Sequence, residues 1–263
     1  MSDLKETINH LTRRSSALLL VVALSGLSAC ATSSSLEQNP KDPYEGFNRA
    51  MFAVNEGLDH VIKPVAQGYD AAAPLPVKTA VGNFFGNILD VWTALNNLLQ
   101  GKGEQGFSDV GRVLVNSTVG ILGVFDVASD MGLAKHSEDF GQTLGKWGVS
   151  DGPYFFWPII GPRTARDTVG WGVDIYTDPV SRLNDIPVRN SLSGTRLVDK
   201  RAGLLPTDEI VEEAAFDKYT YIRDAYLQHR RSEIYDGNPP RESWPNQPTS
   251  DDSSDNSNTS GAQ

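Results

Sequence analysis

Gly101, Gly103 and Gly106 have the G-x-G-x-x-G spacing that lets a backbone approach a pyrophosphate at a helix start. That chemistry needs a preceding strand within a βαβ unit. Here the glycines follow an apolar helical stripe, so they read as a turn between two helices. Beyond the leader, the histidines are His60, His136 and His229, too far apart for the paired spacings of a zinc site. No metal centre is expected. His136, Glu138 and Asp139 form one compact acid/base group, but the same residues suit a capped helix start before Phe140. No serine occupies a G-x-S-x-G elbow, and the Glu212-Glu213 pair falls on a charged helix side where solvation is the default. No catalytic residues are assigned, and the chain is not expected to be an enzyme.

The remaining reactive group is a thiol. Lys5, Arg13 and Arg14 precede an apolar run from Ala17 to Leu24, which gives way to Leu27-Ser28-Ala29-Cys30. A basic start, an apolar core and small residues form a secretion signal over residues 1–29. Its core is shorter than the roughly 20 apolar residues that span a bilayer. The last four residues resemble the lipobox of bacterial lipoproteins, in which the cysteine receives a diacylglyceryl group before cleavage. Cys30 is the only cysteine, so no intramolecular disulfide can form. It is the expected lipid attachment site, and that covalent lipid is the only cofactor expected. In such lipoproteins Asp directly after the cysteine means retention in the inner membrane; Ala31 points to the outer membrane.

The net charge is −10, and the leader is slightly basic, so the mature part is more acidic still. That argues against a nucleic-acid partner. Residues 30–41 are polar and read as a flexible tether. Residues 239–263, rich in Ser, Asn and Thr with Asp251, Asp252 and Asp255, read as a disordered acidic tail.

Residues 42–238 between them carry helical periodicity. Asp42, Pro43 and Glu45 have the form of a capping box, and Phe47, Met51, Val54, Leu58 and Val61 recur on one face until Lys63-Pro64. Val77, Val81, Phe84, Ile88, Val91, Leu95 and Leu98 make a second stripe, with a bend expected near Gly86. A third helix is predicted from Glu104 to Ser117 with Phe107, Val110 and Leu114 inward, and a long one from Thr207 to Tyr235. No alternation of period two stands out, so the fold class is mainly α. Val119 to Ala128 (VGILGVFDVA) and Gly152 to Pro162 (GPYFFWPIIGP) break the pattern. Each suits either a packed core or a surface dipping into a bilayer interface, where Tyr and Trp are favoured.

The run Asp42-Pro43-Tyr44-Glu45-Gly46-Phe47-Asn48-Arg49 resembles the MlaA family, also called VacJ lipoproteins, of the Gram-negative outer membrane. The likeness continues through Asn97 to Gly101, Asn116 to Gly120, Asp126, the run from Asp139 to Val149, Gly152-Pro153-Tyr154, Pro158, Gly161-Pro162 and Arg166-Asp167. It spans about Asp42 to Tyr235. The resemblance implies a ring-like helical bundle lying in the membrane interface, with an amphipathic channel, on the periplasmic side of the outer membrane and beside a trimeric porin. It implies removal of mislocalised phospholipid from the outer leaflet and transfer to the periplasmic carrier MlaC, which maintains lipid asymmetry.

Helix pattern alone makes Phe47 core and Asn48 and Arg49 solvated; on a membrane-lying helix these three can instead face the channel. Asp126 and Asp139 can line a polar passage or cap helices. Tyr154, Phe155, Phe156 and Trp157 can form a membrane-facing rim or an ordinary core. Two rival functions share the sequence features: a structural envelope lipoprotein acting as a porin-associated scaffold, and an envelope hydrolase resting on His136.

Overall fold

Helical periodicity recurs along the chain with the expected spacing but with an unexpected polarity. The computed structural model describes residues 39–240. The leader, Cys30, nearly all of the tether and almost the whole tail lie outside the described residues. The helices are α1 (Glu45–Ala72), α2 (Leu75–Leu99), α3 (Gly103–Thr118), α4 (Val127–Asp130), α5 (Phe140–Lys146), α6 (Ala165–Thr177), α7 (Ile186–Gly203), α8 (Leu205–Ala214) and α9 (Lys218–Ile234). A hairpin of β1 (Tyr154–Trp157) and β2 (Gly161–Thr164) lies between α5 and α6. Among the described residues no helix is long and apolar enough to cross a membrane.

The packing closes on itself. α1 packs on α7, α7 on α2, α2 on α5, and α5 on α6 and α9; both of these reach β2, which pairs with β1, and β1 returns to α1. That circuit makes the fold a helical ring. One apolar core sits where the hairpin meets α1 and α9, with Tyr154, Phe156 and Tyr219 packed against Phe52, Met51 and Tyr226. The Phe52 ring meets Phe156 and Tyr219 edge-on at 5.2 and 5.9 Å, a favoured aromatic geometry.

Several boundaries differ from those predicted. α1 runs through Pro64 to Ala72, because the ring costs one backbone hydrogen bond and the rest of a 28-residue helix absorbs the loss. Asp42 does not cap α1: Tyr44 occupies that position without a side-chain cap, and the Asp42 carboxylate is buried. α2 is one helix through Gly86. The expected long C-terminal helix is two, because Asp217 starts a new one by accepting from the Tyr219 backbone N–H. The hairpin was not foreseen, since its first strand is aromatic at every position and shows no polar alternation. Gly101 takes φ +79 in the α2–α3 turn, while Gly103 and Gly106 lie inside α3.

Stripe polarity is the largest correction. Phe107, Val110 and Leu114 face outward on α3, while Asp109, Arg112 and Asn116 are buried. On α2, Leu89, Val91, Leu95 and Leu98 are exposed, while Asn87, Asp90, Thr93 and Asn97 are buried. The two helices are joined across their polar faces: Asn97 Nδ2 donates to Asp109 Oδ2 at 2.7 Å, and Arg112 stands 3.6 Å from Asp90. On α1, Val54, Leu58 and Val61 are likewise exposed and Asn48 buried.

α5 and α6 cross at glycines. A Cβ on Gly170 would lie 2.4 Å from the Gly141 nitrogen and 2.6 Å from its Cα, so backbone would meet backbone. Gly170→Ala is expected to destabilise the chain by about 1–3 kcal/mol, the usual cost of overpacking, read as a lower urea midpoint with unchanged slope. An unchanged midpoint would show that the helices can separate freely.

Candidate functional site

Three ionic knots hold the interior of the ring, and each begins with a side chain that has no water to solvate it. In the first, the buried Asn48 amide joins α1 to the hairpin: Nδ2 donates to Asp42 Oδ1 at 2.8 Å and to the Tyr154 carbonyl at 3.0 Å, and Oδ1 accepts from Phe156 N–H at 3.0 Å. Asp42 also accepts from the Tyr219 hydroxyl at 2.5 Å and from Arg223 at 3.1 Å. Burial and the neighbouring carboxylate push the Tyr219 phenol well above its ordinary range. This hydroxyl stays protonated as a donor.

In the second knot, Arg230 on α9 donates to Asp139 at 2.5 and 2.8 Å and to Asp167 at 3.1 Å. The Tyr226 hydroxyl donates to Asp167 at 2.6 Å, and Arg166 reaches both Asp167 and Asp151. Burial pushes the Asp167 pKa up, but the nearby Arg230 charge and the Tyr226 hydrogen bond outweigh it and hold the group at about 2. The third knot centres on Arg112, which is fully buried on α3 and makes a two-pronged contact with Asp126 at 2.9 and 3.0 Å. Against the upward push of burial, hydrogen bonds from Ser129, Asn116 and Arg112 hold the Asp126 carboxyl well below the usual carboxylate range. His136 Nδ1 lies 2.8 Å from Asp109, so the expected acid/base group is divided among partners. Among the described residues, no group of His, Asp and Glu is arranged to hold a metal.

These contacts locate the residues singled out from the sequence. Phe47 is half-buried. Asn48 is fully buried as a joint, its side-chain hydrogen bonds all going to the hairpin and Asp42. Arg49 is exposed, held by Glu45, Asp217 and Thr220, and lies over the Tyr219 ring. Asp126 caps α4 by accepting from Ser129 N–H, and Asp139 caps α5 by accepting from Gln142 N–H. Strand pleating divides the aromatic run. Tyr154 and Phe156 are core, so neither is part of a rim; Phe155 and Trp157 occupy the other face, with Phe155 stacked on Tyr44 at 5.4 Å. Cys30 lies outside the described residues.

What the sequence reading missed are the buried arginines Arg112, Arg166, Arg223 and Arg230. A signal was present: Asp109, Arg112 and Asn116 recur at helical spacing, as the apolar set does. Trp147 was also missed; it is exposed, with its indole N–H donated to the Leu99 carbonyl at 3.0 Å. Such a ring, apolar in body and satisfied at its polar tip, suits a water–lipid boundary.

The outer surface is the counterpart of the knots. Leu95, Phe107, Leu114, Ile121 and Leu122 are all exposed, and they belong to the α2–α3 hairpin and the loop after it. Ile121 and Leu122 have φ +54 and +56, a left-handed backbone that costs about 1–2 kcal/mol per residue and holds their side chains outward. A cavity of about 730 Å³ opens between α1, the start of α2 and the α7–α8 junction, lined by Lys63, Tyr69, Lys78, Asp199 and Glu212 among others.

Comparison with known proteins follows the same lines. The family model described as MlaA lipoprotein matches residues 40–233. An uncharacterized protein of Rickettsia typhi is 36% identical over 195 residues, covering 73% of this chain and 78% of that protein. The "Intermembrane phospholipid transport system lipoprotein MlaA" of Escherichia coli is 34% identical over 223 residues, covering 82% of this chain and 86% of its own length. The protein of that name in Haemophilus influenzae is 30% identical over 228 residues, covering 84% and 90%. A solved chain reported under "Structural basis for maintenance of bacterial outer membrane lipid asymmetry" superposes with a TM-score of 0.64 at 31% identity, covering 75% of this chain and 99% of its own.

Proposed function

This chain belongs to the MlaA lipoprotein family, and from that premise we propose that it removes phospholipid from the outer leaflet of the outer membrane, maintaining that membrane's lipid asymmetry. The single observation that carries the reading beyond family membership is the inverted polarity of α1, α2 and α3, with Leu and Val outside and Asn, Asp and Arg inside. In water such exposure is unfavourable by about 25 cal/mol per Å² of apolar surface. Among acyl chains it has no penalty, and interior polar contacts then act as the glue between helices.

A ring of this kind lowers the barrier to lipid movement without covalent chemistry. Drawing a two-chain phospholipid into water exposes roughly thirty methylenes at about 0.8 kcal/mol each. A protein whose outer wall is solvated by acyl chains and whose interior accepts polar groups avoids that exposure. The passage enclosed by the ring, whose wall the buried polar knots hold together, serves as the amphipathic channel. Phe155 and Trp157 on the free hairpin face, with Phe47 at the start of α1, stand nearest the expected lipid path. In this reading the lipid is moved without hydrolysis. Cys30 carries the lipid anchor, the domain lies on the periplasmic side, a trimeric porin seats it, and MlaC receives the lipid.

Two measurements test this. Cells lacking the protein are expected to accumulate phospholipid on their outer surface, and purified protein is expected to carry phospholipid with intact chains. Normal surface lipid would favour a scaffold instead, and lysophospholipid release would favour a hydrolase. Cys30→Ala is expected to abolish covalent attachment, read as loss of the lipid's mass from the mature N-terminus and release of the protein from washed membranes. An unchanged mass would place the anchor elsewhere.

A further inference from the structure

α8 stands apart from the rest of the ring. No residue of this helix is buried, and it packs against α7 and α9. Ion pairs hold its inner edge: Asp208 to Lys63 at 3.0 Å and to Arg201 at 2.6 Å, and Glu212 to Lys218 at 3.3 Å. The other face carries Ile210, which is 60% exposed, and the bend before α9 carries Phe216, which is fully exposed and meets no other ring among the described residues. Single apolar residues at a surface are ordinary. A fully exposed aromatic and a second large apolar residue, on a corner that contributes nothing to a core, have instead the composition of an interface anchor.

The same corner is acidic. Glu209 and Glu213, one helical turn apart on α8, are exposed and have no ion pair among the described residues. Glu209 also lines the cavity between α1, the start of α2 and the α7–α8 junction, where Asp70, Asp199, Asp208 and Glu212 join it against Lys63 and Lys78. Both lysines are already held, Lys63 by Asp208 and Lys78 by Asp70 at 2.6 Å. Asp199 has the Tyr69 hydroxyl at 2.9 Å and no cation among the described residues. A surplus of negative charge therefore remains at this corner. It rules out a bilayer as the occupant, because carboxylates are costly among acyl chains and are repelled by anionic headgroups. Unlike the apolar wall of α1, α2 and α3, this corner is built for water.

We propose that the α8–α9 corner docks a water-soluble protein that presents an apolar pocket ringed by Lys and Arg, with Phe216 and Ile210 filling the pocket and Glu209 and Glu213 facing the basic ring. The division of labour is that of interfaces in general: a buried aromatic anchor supplies most of the affinity, while charges at the rim choose the partner and speed the encounter. The acid-lined cavity beside the anchor offers a seat for one basic side chain of the same partner. This rests on the transport reading above and deepens it, since phospholipid leaving the ring on its water side needs a soluble acceptor, and the corner is where that acceptor takes hold.

The test measures binding of purified MlaC, the acceptor in the transport reading, to the full lipidated protein held in lipid nanodiscs. Wild type is expected to bind, and more weakly as salt is raised. F216S is expected to weaken binding by about tenfold or more, the usual loss on truncating an anchor. E209K/E213K should weaken it by about the same factor and abolish the salt dependence, with E209Q/E213Q between the two. Because α8 buries no residue, these variants should keep the wild-type denaturant midpoint, so a loss of binding is not a loss of folding. If F216S and E209K/E213K bind MlaC as wild type does, or if wild type keeps phospholipid off the cell surface without binding MlaC, the proposal is overturned and the transport reading stands. If wild type neither binds MlaC nor keeps the surface clear, the transport reading fails and this one with it. Loss of liposome flotation in F216S with MlaC binding unchanged would assign the corner to the bilayer and overturn the protein partner.

Discussion

Replacing Arg230 by Met is expected to cost about 3–5 kcal/mol, enough to unfold a domain of ordinary stability or open the ring between α5, α6 and α9. Arg230 is 6% exposed and holds two carboxylates, one of which, Asp167, is 1% exposed. Removing the cation leaves that carboxylate in a low-dielectric interior with the Tyr226 hydroxyl and Arg166 as its remaining polar partners. The measurement is denaturant unfolding of wild type and R230M, with R230K between them because a point charge cannot replace the fork. If R230M unfolds within 1 kcal/mol of wild type, the knot is not a structural centre.

The same knot sets an acid limit. The folded-state pKa of Asp167, about 2, is below its ordinary value of 3.8, so the unfolded chain binds a proton more readily than the folded one. Its stabilising contribution is therefore complete above about pH 4 and is lost as pH falls toward 2, worth about 2 kcal/mol in all at 1.36 kcal/mol per pKa unit. D167N should flatten this part of the stability profile. A wild-type profile already flat between pH 4 and 2 would contradict the assignment.

Charging the outer wall is expected to do the reverse: little to folding, much to function. Val91, Phe107 and Leu114 are all more than half exposed, at 52, 72 and 61%. Changing the three to Lys should shift the unfolding free energy by no more than about 0.5 kcal/mol each, the range of surface substitutions. Each Lys set at the depth of acyl chains would cost about 2.5–3.5 kcal/mol, a loss of tens- to hundreds-fold in seating per residue. Cells carrying the variant should show surface phospholipid like cells lacking the protein, and the domain from Asp42 onward should no longer float with liposomes. If the variant unfolds while its liposome flotation is unchanged, this wall belongs to a core and not to a lipid-facing surface.

The two expectations have a common root in how amphipathic helices were read. Spacing along α3 puts Phe107, Val110 and Leu114 on one side and Asp109, Arg112 and Asn116 on the other, and that separation is legible in the sequence because a helix turns every 3.6 residues. Which side meets protein is not, because periodicity has no sign. The usual assumption, apolar inward, holds for a helix surrounded by water. Here the assumption fails on α1, α2 and α3 together, which is itself the clearest mark of the environment they are built for. Joints such as Asn48 with the Tyr154 carbonyl link residues 106 positions apart, and no local pattern announces such a pair.

Alone, the sequence determined that the chain is mainly helical, where its apolar and polar stripes fall, that its single cysteine follows a basic and then apolar N-terminal run, and which family the run from Asp42 to Asp167 resembles. Only the tertiary structure decided that the stripes are inverted, that Pro64 lies inside a helix, and that four arginines are buried. The physical reason is that local spacing follows from backbone geometry within a few residues, whereas burial and charge pairing depend on which distant segments meet and on the solvent left outside them.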